Sequence, residues 1–134
     1  MKILALVLRI LVGLPFLVFG ADYFLHFIPM EEPKLPETAQ HFAGALQTTN
    51  YMTVVKVLEL TGGLLLVIGR FVPLGLVLLV PVTVNIALWD ALLVKYAAGP
   101  PLGTVLLVLE IVLIWLYRPY FAPLFTVRAT PAGG

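Results

Sequence analysis

Residues 51–94 read YMTVVKVLELTGGLLLVIGRFVPLGLVLLVPVTVNIALWDALLV, two apolar runs separated by the dipeptide Gly69-Arg70. An α-helix rises 1.5 Å per residue, so about 20 apolar residues cross a hydrocarbon core of roughly 30 Å. The runs at 51–69 and 71–94 have about this length, and too little polar sequence joins them for a soluble layer to cover them. The stretch therefore predicts two membrane-spanning helices joined by a tight turn.

Two further apolar runs, at about 3–24 and 102–117, flank this central pair. Together the four runs predict an all-α integral membrane protein, a four-helix transmembrane bundle that forms a single domain over residues 1–134. The first run also has the basic start of a signal peptide. We expect it to be retained as a span, because Arg9 interrupts its apolar core and no good small-residue cleavage site follows.

The composition excludes several classes of protein. Of the 134 residues, 61% are hydrophobic and 11% are charged, whereas soluble domains carry about 25% charged residues. A soluble globular enzyme is therefore excluded, and a net charge of +1 gives no support to nucleic-acid binding. The absence of cysteine excludes disulfide relays and thiolate metal sites, and two histidines near one loop do not predict a metal or haem site.

The basic residues predict the orientation, because lysine and arginine in short connections are retained on the cytoplasmic side. With four spans, one side of the membrane receives Lys2, Arg70, Arg118 and Arg128, and the other receives Lys34 and Lys95. We therefore expect both termini in the cytoplasm and the long loop after the first span outside.

This outer loop, between Phe27 and Asn50, is the one substantial connection between spans. Within it, Glu37–Thr48 carries an acidic residue in its first turn and apolar residues at helical spacing, which predicts a short helix on the membrane surface. The alternative is a solvated connector that merely joins two spans.

Arg9, Glu59 and Glu110 are ionisable residues inside three different spans, at similar depths from the predicted inner ends. Because a charge inside the bilayer needs a partner, we expect an interhelical cluster in which Arg9 lies between the two carboxylates. Such a cluster could be a proton-linked functional site, or a buried polar lock that fixes the packing of the helices. The sequence leaves both interpretations open.

A second polar group lies toward the outer ends of the spans and comprises Asp22, His26, Lys56, Asn85 and Asp90. Lys56 and Glu59 are three residues apart and share a helix face, which links the two groups. Asp22 and Asp90 are the weaker members, because their positions on an ideal helix turn them away from the other polar residues. They are equally well interpreted as interfacial caps.

Four pieces of the sequence, in this order and spacing, resemble the DoxX family. They are Arg9-x-x-x-Gly13-x-x-Phe16-x-x-x-Gly20, Glu59-x-x-Gly62-Gly63-Leu64-Leu65-Leu66-x-x-Gly69-Arg70, Pro81-Val82-x-Val84-Asn85-Ile86, and Leu109-Glu110 followed by Trp115-x-Tyr117-Arg118-x-x-Phe121. The likeness covers nearly the whole chain.

The resemblance implies a compact four-helix protein of the bacterial inner membrane, with Arg9, Glu59, Asn85 and Glu110 lining a central polar site. Some members of the family are membrane subunits of thiosulfate:quinone oxidoreductases, which implies a quinone as the candidate cofactor and a soluble oxidoreductase as the candidate partner. One departure is Asp90, which stands where the family resemblance leads us to expect a histidine. A carboxylate there puts a histidine-dependent proton or quinone step in doubt.

Three functions remain as hypotheses. The first is a membrane subunit or anchor of a redox-linked assembly that holds a quinone or another lipid-soluble molecule between its helices. The second is a self-contained, proton-linked small-molecule carrier or quinone-reactive enzyme that uses Glu59 or Glu110. The third is a structural role as a homo-oligomeric bundle.

Overall fold

The structure, a computed structural model, describes residues 1–29, 34–95 and 101–133, and all of its regular secondary structure there is helical. The helices in chain order are α1 (Lys2–Leu25), α2 (Glu37–Thr48), α3 (Tyr51–Ile68), α4 (Val72–Leu88), α5 (Leu102–Leu116) and α6 (Arg118–Phe121). A π-helical turn, Trp89–Leu93, continues α4, and a 3₁₀ turn, Ala122–Phe125, follows α6.

The turn between α3 and α4 is formed by residues that leave the right-handed helical region. Gly69 has φ +76° and donates its N–H to the carbonyl of Leu65, which ends α3 in the left-handed conformation that glycine adopts at low cost. Phe71 is also left-handed, with φ 54°, and Pro73 lies in the first turn of α4. The chain therefore reverses over three residues, at the position that the sequence predicts.

The four long helices pack in a ring. α1 lies against α3, α3 against α4 and α4 against α5, while a smaller contact between α5 and α1 closes the bundle. The interior contains fully buried apolar side chains from each helix, among them Val12, Leu66, Leu76, Leu79 and Leu113. Many large apolar side chains cover the outside, as a lipid-facing surface requires.

Backbone contact through glycine brings α1 and α3 together. A Cβ atom on Gly13 would lie 2.7 Å from the carbonyl oxygen of Gly63, and one on Gly63 would lie 2.8 Å from the carbonyl oxygen of Gly13. Small residues at such a crossing let two membrane helices approach more closely than larger side chains allow. The glycines of the family-like motifs thus set the spacing of this helix pair.

Three segments are long and apolar enough to cross a membrane: Lys2–Leu25, Tyr51–Ile68 and Val72–Leu93. They match three of the four predicted spans to within two residues at each end. The fourth predicted span, 102–117, corresponds to α5, which has 15 residues and is bent by 86° from the following segment, Arg118–Phe125. The protein therefore has three candidate spans, or four if this bent pair forms one.

α2 has the bounds that its sequence pattern predicts, Glu37–Thr48, and it packs against α3 and the π-helical turn. It lies at the end of the bundle opposite the Gly69 turn, because it contacts the beginning of α3 and the end of α4. The part of the outer loop at residues 30–33 lies outside the described residues.

Candidate functional site

A cavity of about 470 Å³ lies between α2, α3 and the end of α4. Most of its lining is apolar, and its polar side chains include Lys56, Glu59 and Asn85. Lys56 and Glu59 are the sixth and ninth residues of α3, so the polar groups lie about 7 to 12 Å along that helix from its α2 end. A mostly apolar pocket with a few convergent polar groups is the usual form of a small-molecule site.

An ion pair supplies the polar part of this cavity. Lys56 Nζ lies 2.9 Å from Glu59 Oε2, and the Glu59 side chain is 5% exposed. The two residues are three apart on α3, which is the spacing that places side chains on one helix face. Apart from this ammonium, the buried Oε2 atom has no hydrogen-bond donor among the described residues.

The side chain of the third polar residue, Asn85, makes one hydrogen bond to the backbone of its own helix. Its side-chain amide donates a hydrogen bond of 2.9 Å to the carbonyl oxygen of Pro81. The amide retains a second N–H and a carbonyl oxygen, since Asn carries two donors and an acceptor. Asn85 is therefore a neutral group, facing the cavity from α4, with hydrogen-bonding capacity left over.

Aromatic side chains cover the cavity on the α2 side. The Phe42 and Trp89 rings lie 5.9 Å apart between centroids, with their planes tilted by 43°, and Tyr51 also lines the cavity. Trp89 is the first residue of the π-helical turn, a distortion often found at functional sites. Phe42 belongs to α2, as do the lining residues Ala43 and Leu46, so this short helix forms one wall of the cavity.

Glu110, the other predicted acidic residue, lies in the bundle interior and not in the cavity. It is fully buried, and its Oε1 atom accepts a hydrogen bond of 2.8 Å from the Thr83 hydroxyl. The same hydroxyl lies 2.9 Å from the carbonyl oxygen of Leu79, one turn earlier on α4. Glu110 Oε2 has no partner among the described residues. The Thr83 to Glu110 contact thus joins α4 to α5 through polar atoms.

Arg9 lies away from both carboxylates. Its guanidinium packs over Gly69, which is ten residues beyond Glu59, or about 15 Å further along the helix direction. Within the described ranges, the ion pairs are Lys56 with Glu59 and His41 with Glu37, so Arg9 does not bridge the carboxylates as the sequence led us to expect. The long arginine side chain instead reaches the carbonyl-rich end of α3, where the helix dipole favours a positive charge.

The outer polar group also separates into individual contacts. Asp22 Oδ1 accepts the N–H of Ile28 at 2.7 Å, and Asp90 Oδ2 accepts the N–H of Gly103 at 3.0 Å. His26, at the end of α1, is exposed and left-handed with φ 52°. Asp22 and Asp90 therefore bind the backbone at helix ends, the arrangement of the capping interpretation, whereas Lys56 and Asn85 of this group line the cavity.

Sequence reasoning missed two parts of this arrangement. Thr83 lies within an apolar run, where a hydroxyl is a signal that a polar partner is needed. Phe42 lies in the predicted surface helix and Trp89 near the end of the third predicted span, and nothing in the sequence indicates that their rings meet. In the part of the chain that the structure describes, no group of three His, Cys, Asp or Glu residues could hold a metal ion.

The fold and the cavity define a small, all-α, multi-pass membrane protein with a mostly apolar cavity, lined in part by polar side chains, near the end of its bundle. The DoxX family model matches residues 4–93, which include all but the first two residues of α1, the whole of α2 to α4 and every residue of the cavity, so the chain belongs to the DoxX family. No curated protein and no solved structure has a significant match to the chain.

Proposed function

We propose that this protein binds a lipid-soluble molecule with a polar head in the cavity between α2, α3 and α4. The observation that carries the proposal is the combination of an apolar lining with the Lys56 and Glu59 pair at one place on its wall. Aromatic rings from Phe42 and Trp89 suit a planar head group, and the lipid-facing helices give an apolar tail a path into the bilayer. A quinone has this form and is the candidate ligand.

In the cell, the protein would act as the membrane subunit or anchor of a redox-linked assembly in the bacterial inner membrane. A soluble oxidoreductase partner would carry out the electron chemistry. Membership of the DoxX family supports this assignment by analogy. Arg9 and Glu110 would then stabilise the helix bundle, and Glu59 and Asn85 would contact the ligand.

We also propose that α5 and the segment after it complete a fourth span, so that both termini lie in the cytoplasm and α2 lies on the outer surface. The distribution of basic residues supports this orientation, because Lys2, Arg70 and Arg128 then share the inner side.

The experiment is gentle affinity purification of the tagged protein from its native membranes, followed by mass spectrometry of co-purifying proteins and extracted lipids. We expect a quinone or a related lipid in a stoichiometric amount, together with a soluble oxidoreductase. A protein that carries no lipid of this class contradicts the binding proposal, and a protein without a partner contradicts the subunit proposal.

Two tryptophan substitutions on α2 test whether the cavity is the site. Ala43 lines the cavity, so Ala43→Trp should fill it and abolish ligand co-purification. His41 is exposed on the same helix and does not line the cavity, so His41→Trp is the matched control and should retain the ligand. Equal ligand content in the two variants would place the ligand elsewhere.

A further inference from the structure

The cationic side chain in the cavity wall, Lys56, already has a counter-ion, the Glu59 carboxylate. Lys56 Nζ lies 2.9 Å from Glu59 Oε2, and the two side chains are 20% and 5% exposed, so the pair is largely removed from water. At this separation and degree of burial the two charges cancel for any ligand group that approaches them. A charged head group would therefore lose its own hydration and gain no opposite charge in return.

The hydrogen-bonding groups of the cavity suit an uncharged head group. The ammonium has donors left over, and the Glu59 carboxylate, which lines the cavity, can accept more hydrogen bonds than the one contact with Lys56. A hydroxyl can satisfy both, because it accepts from Lys56 and donates to Glu59. Asn85 adds neutral amide groups on the facing helix. These groups match an alcohol or a phenol, and they offer a carboxylate or an ammonium ion no net attraction.

We propose that Glu59 makes this cavity selective for uncharged, hydroxyl-bearing amphiphiles, a class that includes the reduced, quinol form of a quinone, and that it excludes fatty-acid and other lipid anions by neutralising Lys56. The inference rests on the proposed function, since it concerns the ligand class of the same cavity. It assigns Glu59 a specificity role: without its carboxylate, Lys56 would attract the anionic lipids that are abundant in any bilayer. Lys56 has the reciprocal role toward cations.

Three ligands with one tail test this selectivity: dodecanol, dodecanoate and dodecylammonium, each titrated into the purified protein in nanodiscs. Binding is followed by the fluorescence of Trp89, which lines the cavity, in a Trp115→Phe background. Trp115 is exposed on α5 and lies outside the cavity. In each variant we measure the ratio of the dissociation constant of a charged ligand to that of dodecanol. This ratio is then compared between variants, so that the partitioning of each ligand into lipid cancels.

Relative to the wild type, we expect Glu59→Gln to improve binding of dodecanoate over dodecanol by roughly tenfold or more, the usual size of a charged hydrogen bond. Glutamine keeps the size and a weaker acceptor oxygen, so dodecanol should bind less tightly while dodecanoate gains the charge of Lys56, and both changes move the ratio in the same direction. Lys56→Gln should shift the preference toward dodecylammonium instead. Glu37→Gln removes a carboxylate from α2 outside the cavity and should leave every ratio unchanged.

The outcomes separate this inference from the function on which it rests. Wild-type protein that binds none of the three ligands contradicts both. Wild-type protein that binds dodecanol, with ratios that neither Glu59→Gln nor Lys56→Gln alters, contradicts the selectivity and leaves the binding function in place. Glu59→Gln and Lys56→Gln each remove one charge, so the result from either variant that folds is enough to test the selectivity.

Discussion

The guanidinium of Arg9 on α1 packs directly over Gly69, the left-handed residue that ends α3. This contact places the arginine at the carbonyl end of α3, where a positive charge is favourable, and it uses the space that a glycine leaves. It joins two residues that are 60 positions apart in the chain, and the buried Nε atom of Arg9 has no hydrogen-bond partner among the described residues.

The first prediction concerns the Gly69 side of this contact. Gly69→Ala should destabilise the bundle by about 1 to 2 kcal/mol, because alanine is strained at φ +76°. The guanidinium is the end of a flexible side chain and can shift away from the new Cβ, so its displacement should add little. Thermal unfolding in detergent measures the loss, and a Gly69→Ala protein as stable as the wild type would contradict the left-handed end of α3.

The second prediction concerns the crossing of α1 and α3. Gly13→Ala should destabilise the protein by about 1 to 3 kcal/mol, because its Cβ would lie 2.7 Å from a backbone oxygen that cannot turn away. Gly44→Ala on α2 is the matched control, since a Cβ there meets nothing within 4 Å. We expect its melting temperature to be unchanged or higher, as alanine favours a helix. A Gly13→Ala protein as stable as the control would exclude the close crossing.

The third prediction concerns the polar contact inside the bundle. Glu110→Gln retains an oxygen that can accept the Thr83 hydrogen bond and introduces little change in volume, so the variant should fold with near-normal stability. Glu110→Ala removes the hydrogen bond and leaves a void, and should cost about 1 to 3 kcal/mol. Unfolding in mixed micelles compares the two. If the glutamine variant is as unstable as the alanine variant, the carboxyl group has a role beyond this contact.

The fourth prediction concerns the aromatic cover of the cavity. Phe42→Ala should loosen the docking of α2 on Trp89 and raise the dissociation rate of a bound ligand several-fold, while the bundle melts normally. Stopped-flow displacement measures the rate, with His41→Ala as the exposed control on the same helix. An unchanged rate in Phe42→Ala would mean that ligands leave by a path that does not involve α2.

The fifth prediction concerns the number of spans. The chain contains no cysteine, so single substitutions Gly44→Cys and Thr130→Cys can be labelled without background. Four spans with both termini inside expose Gly44→Cys and protect Thr130→Cys from an impermeant maleimide added to intact spheroplasts, and both label after lysis. Outside labelling of Thr130→Cys together with an inner amino terminus would mean three spans.

The positions of the long helices could be predicted from the sequence, because the apolar runs mark where backbone groups must satisfy one another inside hydrocarbon. The bounds of α2 and the turn at Gly69 were equally predictable, since each depends on local backbone chemistry. The shared face of Lys56 and Glu59 also follows from their spacing alone. These features are local, and neighbouring residues are enough to define them.

The partners of the buried polar residues were decided by the tertiary structure. Arg9 and Glu59 have similar depths in the sequence, yet Arg9 reaches Gly69, and Glu110 meets Thr83. Which side chains meet depends on how each helix is rotated about its axis and on how far a long side chain extends, and linear position carries neither quantity. The cavity also depends on the tertiary structure. Polar residues of its lining lie on α3 and α4, but the cavity exists because α2 folds back across the ends of these two helices.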